Sequence, residues 1–169
     1  MPAPPEPCRA LLTPELMAFV HGGVVAMVGS AAPDLTPAVT RGFAPRVAPD
    51  RRTIDVFVGR AQSGVCLANL APGASVSVIV GNPIDYRGLQ IKGTMVEQSA
   101  ADGDADTAWL RRCRPLYVEA LERVGIPRPQ GERLWCREMV CLTFEPASIF
   151  RQTPGPGAGD PLGAGPPWT

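Results

Sequence analysis

Between residues 53 and 95 the chain carries three apolar stripes of period two, and no other feature limits its fold as tightly. In TIDVFVG (residues 53–59) Ile54, Val56 and Val58 share one face. In SVSVIVG (residues 75–81) Val76, Val78 and Val80 do the same, and in LQIKGTM (residues 89–95) so do Leu89, Ile91 and Met95. Side chains alternate across a strand, so each segment has one oily face and one polar face. Three such strands in succession bury their faces together in a largely antiparallel sheet that closes on itself. A short helix, RAQSGVCLANLAPG (residues 60–73), separates the first strand from the second.

The flanking sequence adds strands before this unit and helices after it. Residues 1–12 are Pro-rich and read as an extended arm. Thr13 is an N-cap with Pro14 at the first helical position, Leu16, Met17, Phe19 and Val20 give an apolar face, and Gly22-Gly23 ends the helix. Residues 24–30 form a buried strand and residues 36–47 a second one, where Pro37 and Pro45 point to an edge or a bulge. Asp102, Asp104 and Asp106 precede a helix with Trp109, Cys113, Leu116, Ala120 and Val124 on one side. Pro115 predicts a kink or two short helices there, and Gly125 and Pro127 stop the run. Residues 134–144 return to strand, with Val140, Leu142 and Phe144 on one face. From Thr153 onward the Gly/Pro-rich tail predicts no regular structure. The expected organisation is an arm (residues 1–12), one domain (residues 13–152) and a tail (residues 153–169), mainly β with flanking helices.

Composition narrows the function classes. At 169 residues and 45% hydrophobic content the chain supports a single domain with a proper core. Sixteen basic residues balance sixteen acidic ones, which gives no reason to expect nucleic acid or an anionic membrane surface as a partner. Lys92 is the only lysine, and the arginine skew matches a GC-rich coding bias more simply than phosphate recognition. No apolar run reaches membrane-spanning length and residues 1–12 lack a signal pattern, so a cytoplasmic protein is expected. The five cysteines are odd in number and have no CxxC spacing. Cys136 and Cys141, five apart on a strand, face opposite ways, which argues against zinc or a disulfide framework and for thiols in a reducing compartment. GxGxxG, Walker and HExxH patterns are absent, and His21 is the sole histidine, better placed as a helix-end cap than as a catalyst.

Four groups of residues can carry chemistry. Arg41 and Arg46 lie five apart on the second strand, and a bulge at Pro45 would bring them to one side. The strand-to-helix junction Val58-Gly59-Arg60-Ala61-Gln62-Ser63 offers N–H groups and a hydroxyl to an anion, or simple helix capping by Gln62 or Ser63. Gln90 and Lys92 project from the polar face of their strand, with Gly93 allowing close backbone approach. The tail FRQTPGPGAG (residues 150–159) holds Gln152, and Trp168 follows; composition alone makes it a flexible terminus.

This order of strand, helix, strand, turn and strand resembles the FMN-binding split β-barrel of the pyridoxamine 5′-phosphate oxidase superfamily, over roughly residues 16–150. The resemblance implies an antiparallel split barrel that forms a homodimer, with FMN at the subunit seam and a deazaflavin or haem as alternatives. It places Arg41, with Arg46 less firmly, at the flavin edge or phosphate; a solvated edge-strand arginine is the alternative for Arg46. It places the ribityl phosphate at Val58, Gly59, Arg60, Gln62 and Ser63. Relatives carry Arg or Lys just after the serine, where this chain has Gly64-Val65, and Arg60 is the nearest substitute. Gln90 and Lys92 would reach the flavin, although counting back from Gly93 puts Gly88 at the usual glutamine position; an ordinary exposed face is the alternative. Tails of the QTPGP type occur in uncharacterised relatives, and the resemblance lays Gln152 and Trp168 across the partner's cofactor. True oxidases clamp vitamin B6 with a C-terminal tryptophan and arginine, and here the tail ends PPWT. The implied activity is therefore a small FMN-dependent oxidoreductase on another organic substrate, with a non-catalytic cofactor carrier as runner-up.

Overall fold

The structure is a computed structural model and describes residues 12–162. Residues 1–11 of the arm, Cys8 among them, and Trp168 lie outside the described residues, whereas Leu12, expected as the end of the arm, is buried in the core. Helix α1 (Pro14–Val20) opens the chain, with the Thr13 hydroxyl accepting the Leu16 N–H at 3.3 Å and Pro14 in the first turn. Strands β1 (Val25–Ala31), β2 (Pro37–Val47) and β3 (Ile54–Gly59) follow. After them come helix α2 (Gly64–Asn69) and strands β4 (Ser75–Gly81) and β5 (Gly88–Ala100). Helices α3 (Asp104–Arg123) and α4 (Arg128–Leu134) precede the last strand, β6 (Met139–Arg151).

The six strands close into an antiparallel barrel in the order β1-β2-β3-β6-β5-β4, with β4 pairing back to β1. The three apolar stripes point inward: Val56, Val78, Val80, Leu89, Ile91 and Met95 join Val140, Leu142 and Phe144 in one core. Leu16, Phe19 and Val20 of α1 pack into that core. A second apolar layer lies outside the barrel. Phe43, Phe57, Met139 and Cys141 face outward from β2, β3 and β6, and Cys113, Tyr117, Val118 and Leu121 of α3 cover them.

Of the edge and the bulge that Pro45 allowed, the structure forms the bulge. The register with β3 shifts between Phe43 and Arg46, and Ala44 takes a φ of 45°. One extra residue turns Val47 inward to the core and leaves Arg46 on the same outer face as Arg41 and Phe43. The indole N–H of Trp109 donates to the freed Ala44 carbonyl at 2.9 Å, so α3 caps the bulge.

The structure departs from the sequence expectation in four further places. Helix α3 is continuous through Pro115, because Pro115 and Arg111 are both exposed and water can serve the carbonyl that the proline leaves without a donor. Its buried stripe is Cys113, Tyr117, Ala120 and Leu121, while Leu116 and Val124 stand 37% and 42% exposed. Residues 128–134 form a further helix, the strand expected over residues 134–144 begins only at Met139, and Cys136 sits in the loop between, not on β6. The tail turns back on β6: Leu162 N–H donates to Ile149 O at 2.7 Å and Phe150 bridges to Pro161. Gly155, Gly157 and Gly159, all at positive φ, allow that reversal.

Candidate ligand cleft on the barrel wall

A broad cleft of about 1600 Å³ opens between the outer face of the barrel and the α3–α4 unit. Its barrel wall is built from Met27, Val39, Thr40, Arg41 and Phe43 of β1 and β2, with Gly59, Ala61 and Gln62 at the end of β3. The opposite wall comes from α3, α4 and residues 135–138. Phe43, Tyr117 and Trp135 meet edge to face with ring centroids 5.2–5.6 Å apart, so that Phe43 and Trp135 supply the aromatic part of the lining and the buried Tyr117 backs them. Such a surface suits a flat conjugated ring.

Gly59 is required where it stands. A Cβ there would collide with the Cys136 sulfur and the Gln62 side-chain oxygen. The Cys136 thiol donates to that Gln62 oxygen at 3.6 Å, so the β3–α2 turn and the loop before β6 are held together at the cleft edge. Arg60 reinforces this, its backbone N–H bonding Glu138 O at 3.0 Å. Burial pushes the Cys136 thiol up, against the opposing pull of Arg41, and so favours the neutral thiol over a nucleophilic thiolate.

The candidate residues are distributed unevenly about this cleft. Arg41, Gly59 and Gln62 line it. Arg46 shares their side of the barrel but is engaged elsewhere: its guanidinium binds Asp55 at 2.6 Å and Asp106 at 2.7 Å and leans on Phe57. With Thr143 donating to Asp55 at 2.7 Å, this network ties the first turn of α3 to the barrel. Val58 is fully buried in the barrel core, so only its backbone can face a ligand. Ser63 is 2% exposed, and its hydroxyl lies 2.7 Å from that of Thr40. It makes no capping bond to α2 and points into the protein. Arg60 is exposed and is not part of the cleft lining.

Gln90, Lys92 and Gln152 form a separate patch on β5 and the start of the tail. Gln90 donates to Ser77 at 2.9 Å, Gln152 donates to Gln90 at 3.3 Å, and the Lys92 ammonium sits 4.9 Å from the Phe150 ring centre. Gly93 does permit a close approach, but by the Glu145 carbonyl of β6. The strand register links patch and cleft in one outward-facing row: Arg41, Met27, Ile79, Gln90 and Phe150 are successive cross-strand partners.

His21 lies away from the cleft. Its Nε2 accepts the Val47 N–H at 3.0 Å and its ring stands edge-on to Trp109 at 4.9 Å. Among the described residues no group of three or more His, Cys, Asp or Glu side chains could hold a metal, and no helix is long and apolar enough to cross a membrane.

The residues that sequence reasoning missed are Arg111, Arg114, Arg133, Trp135 and Arg137, all on the cleft. A signal was present in α3: Thr107, Leu110, Arg111 and Arg114 fall at i, i+3, i+4 and i+7 and share one helix face.

No family model and no curated protein matches the sequence. Solved structures do match. HupZ of Group A Streptococcus superposes with a TM-score of 0.50 at 16% identity, over 87% of this chain and 99% of HupZ. An FMN-binding protein of Syntrophomonas wolfei matches with a TM-score of 0.49 at 11% identity, over 84% of this chain and 89% of that one. A general stress protein 26 relative of the pyridoxinephosphate oxidase family, from Clostridium acetobutylicum, gives 0.47 at 17% identity, over 81% and 84%. The chain has the split β-barrel fold. At these identities the likeness is one of architecture, and this split barrel's chemistry has to be argued from its own cleft.

Proposed function

We propose that the cleft holds a flavin, with FMN the best fit, and that the chain is a flavin-dependent oxidoreductase working as a homodimer. One observation carries the reading. On this fold, an open cleft brings an aromatic surface (Phe43, Trp135) together with Arg41 and the Gly59–Gln62 turn. A flat ring and an anionic tail need those two kinds of surface. The flavin, when bound, supplies the hydride chemistry; the protein's part is to hold and orient it.

Arg41 and Gln62 are the binding residues on this wall, and the backbone from Val58 to Gln62 gives the ring or phosphate a close approach. Arg46 acts as a positioner, since its pairing with Asp55 and Asp106 fixes α3 across the cleft. With the Ser63 hydroxyl turned inward and Arg60 off the cleft lining, the guanidinium of Arg41 is the better phosphate partner. Gln90, Lys92 and Gln152 reach a flavin only from a second copy seated on the Met27–Ile79 strip. Haem is the weaker fit, because the single histidine serves the Val47 N–H outside the cleft and burial favours the protonated form of Cys136.

A non-catalytic flavin carrier is the second reading, favoured by the inward turn of Ser63, which leaves the phosphate fewer partners. The absorbance spectrum of the purified protein, before and after adding FMN, is the test. A yellow protein or a shifted flavin band supports the binding reading. Consumption of a reduced nicotinamide by the loaded protein then separates oxidoreductase from carrier. A colourless protein with an unshifted flavin spectrum overturns both.

A further inference from the structure

Four of the five arginines on the cleft come from outside the barrel. Arg111 and Arg114 project from α3, Arg133 from the last turn of α4, and Arg137 from the loop leading into β6. They line the same cleft as Arg41. Only two acidic residues, Glu132 and Glu138, share the lining, although the whole chain balances sixteen basic residues with sixteen acidic ones.

Off the cleft the arginines divide: some are in ion pairs, while Arg51, Arg60, Arg112 and Arg123 are in none among the described residues, so what marks the cleft is the crowding of its arginines. Arg46, Arg52, Arg87 and Arg128 each have a carboxylate within 4.0 Å. Among the described residues none of the five cleft arginines is in an ion pair. Crowding like charges in one concavity raises its potential and leaves guanidinium donors without strong acceptors. The helix dipole accounts for a basic residue at the end of α4, but not for Arg111 and Arg114 in the middle of α3. Their i, i+3 spacing sets two planar forks side by side, a geometry that suits carboxylate or phosphate oxygens. The cleft also exceeds the usual ligand pocket of roughly 300–1,000 Å³, which leaves room beside a flavin head.

We infer that the wall formed by Arg111, Arg114, Arg133 and Arg137 binds a ligand with two or more anionic groups, a di- or tricarboxylate or a chain of phosphates. In the oxidoreductase reading this ligand is the substrate, so the wall selects polyanionic molecules over neutral or singly charged ones. The inference rests on that reading for the word substrate only; the anion site itself stands without the flavin.

Titration calorimetry with citrate and with inorganic tripolyphosphate tests it, with acetate and orthophosphate, each with a single anionic group, as controls, on protein with and without added FMN. Both polyanions, or one of them, are expected to bind more tightly than the controls, in the presence of FMN, and to weaken as salt rises. Whichever binds tells carboxylate from phosphate chemistry. R111Q/R114Q is expected to lower the affinity roughly tenfold or more, while R123Q, on the same helix but off the cleft, leaves it unchanged. R133Q/R137Q is a second loss variant should the first not fold. Absence of polyanion binding to the wild type, equal binding of the controls, loss of polyanion binding once FMN is loaded, or unchanged binding in the folded loss variants would each overturn the inference. FMN binding followed by absorbance in the same samples keeps the two readings apart: polyanion binding without FMN binding sinks the flavin alone, and the reverse sinks the anion site alone.

Discussion

His21 is the single histidine, and the structure employs it as an acceptor. Its Nε2 takes the Val47 N–H, where β2 re-enters the barrel after the bulge, and its ring lies against Trp109 of α3. Burial lowers its pKa from the ordinary 6.5, and the nearby Arg112 and Arg46 charges lower it further. As pH falls below 6.5 the unfolded chain takes up the proton first, so stability present above that value is lost progressively on acidification. Protonated Nε2 also ceases to accept, which removes the bond to Val47. The expected loss on going from about pH 7.5 to about pH 5.5 is a few tenths to about 1 kcal/mol, since the ring stays partly exposed. H21Q keeps an oxygen in the acceptor position and should flatten this difference in urea unfolding at the two pH values. A variant as pH-dependent as the wild type would assign the effect to other groups.

At the scale of elements, the barrel strands and the existence of α3 were legible in the sequence, while α4 and the face that α3 turns to the cleft were not. Period-two alternation in β3, β4 and β5 reports directly on a closed sheet, because each residue faces either core or outside. The bulge was legible too, from Pro45 alone. Ser63 misled because a serine before a helix signals a cap, while its actual partner, Thr40, is 23 residues away in sequence. In α3 the apolar residues spread around more than one face, so Leu116 and Val124 masked a buried stripe centred on Tyr117. Pro115 was expected to kink the helix or split it into two short ones, and instead sits inside one continuous helix. An interior proline is about 3 kcal/mol less favourable than alanine, offset by roughly 0.4–1 kcal/mol from the stiffer unfolded chain. P115A should therefore stabilise the protein by about 2–2.6 kcal/mol in urea denaturation. A destabilised P115A would mean that the proline is needed to set the helix against Phe43 and Met139, and with it the direction of Arg111 and Arg114.

At the scale of the molecule, the cleft and the Gln90 patch lie at opposite ends of one strip across β2, β1, β4 and β5. Between Arg41 and Gln90 the row is Met27 and Ile79, exposed by 43% and 44%, with Val39 at 64% exposure in the next row. Gly29 between Val39 and Ser77 keeps that second row low. A two-fold axis through such a strip sets the Arg41 end of one copy against the Gln90 end of the other, the isologous arrangement expected of a symmetric dimer. It would cover the exposed apolar side chains and bring Gln90, Lys92 and Gln152 to the partner's cleft in a single step. I79E places a carboxylate at the centre of the strip and should convert a dimer to a monomer by light scattering. Because half of the proposed flavin contacts leave with the partner, FMN affinity should fall about tenfold or more in the monomer. V124E, at a comparable 42% exposure on the far end of α3, is the matched control and should leave both assembly and affinity alone. A wild-type monomer would remove the two-copy site outright. A monomeric I79E that keeps full FMN affinity would show that one cleft suffices, and would confine Gln90 and Lys92 to the sheet they already brace through Ser77 and Phe150.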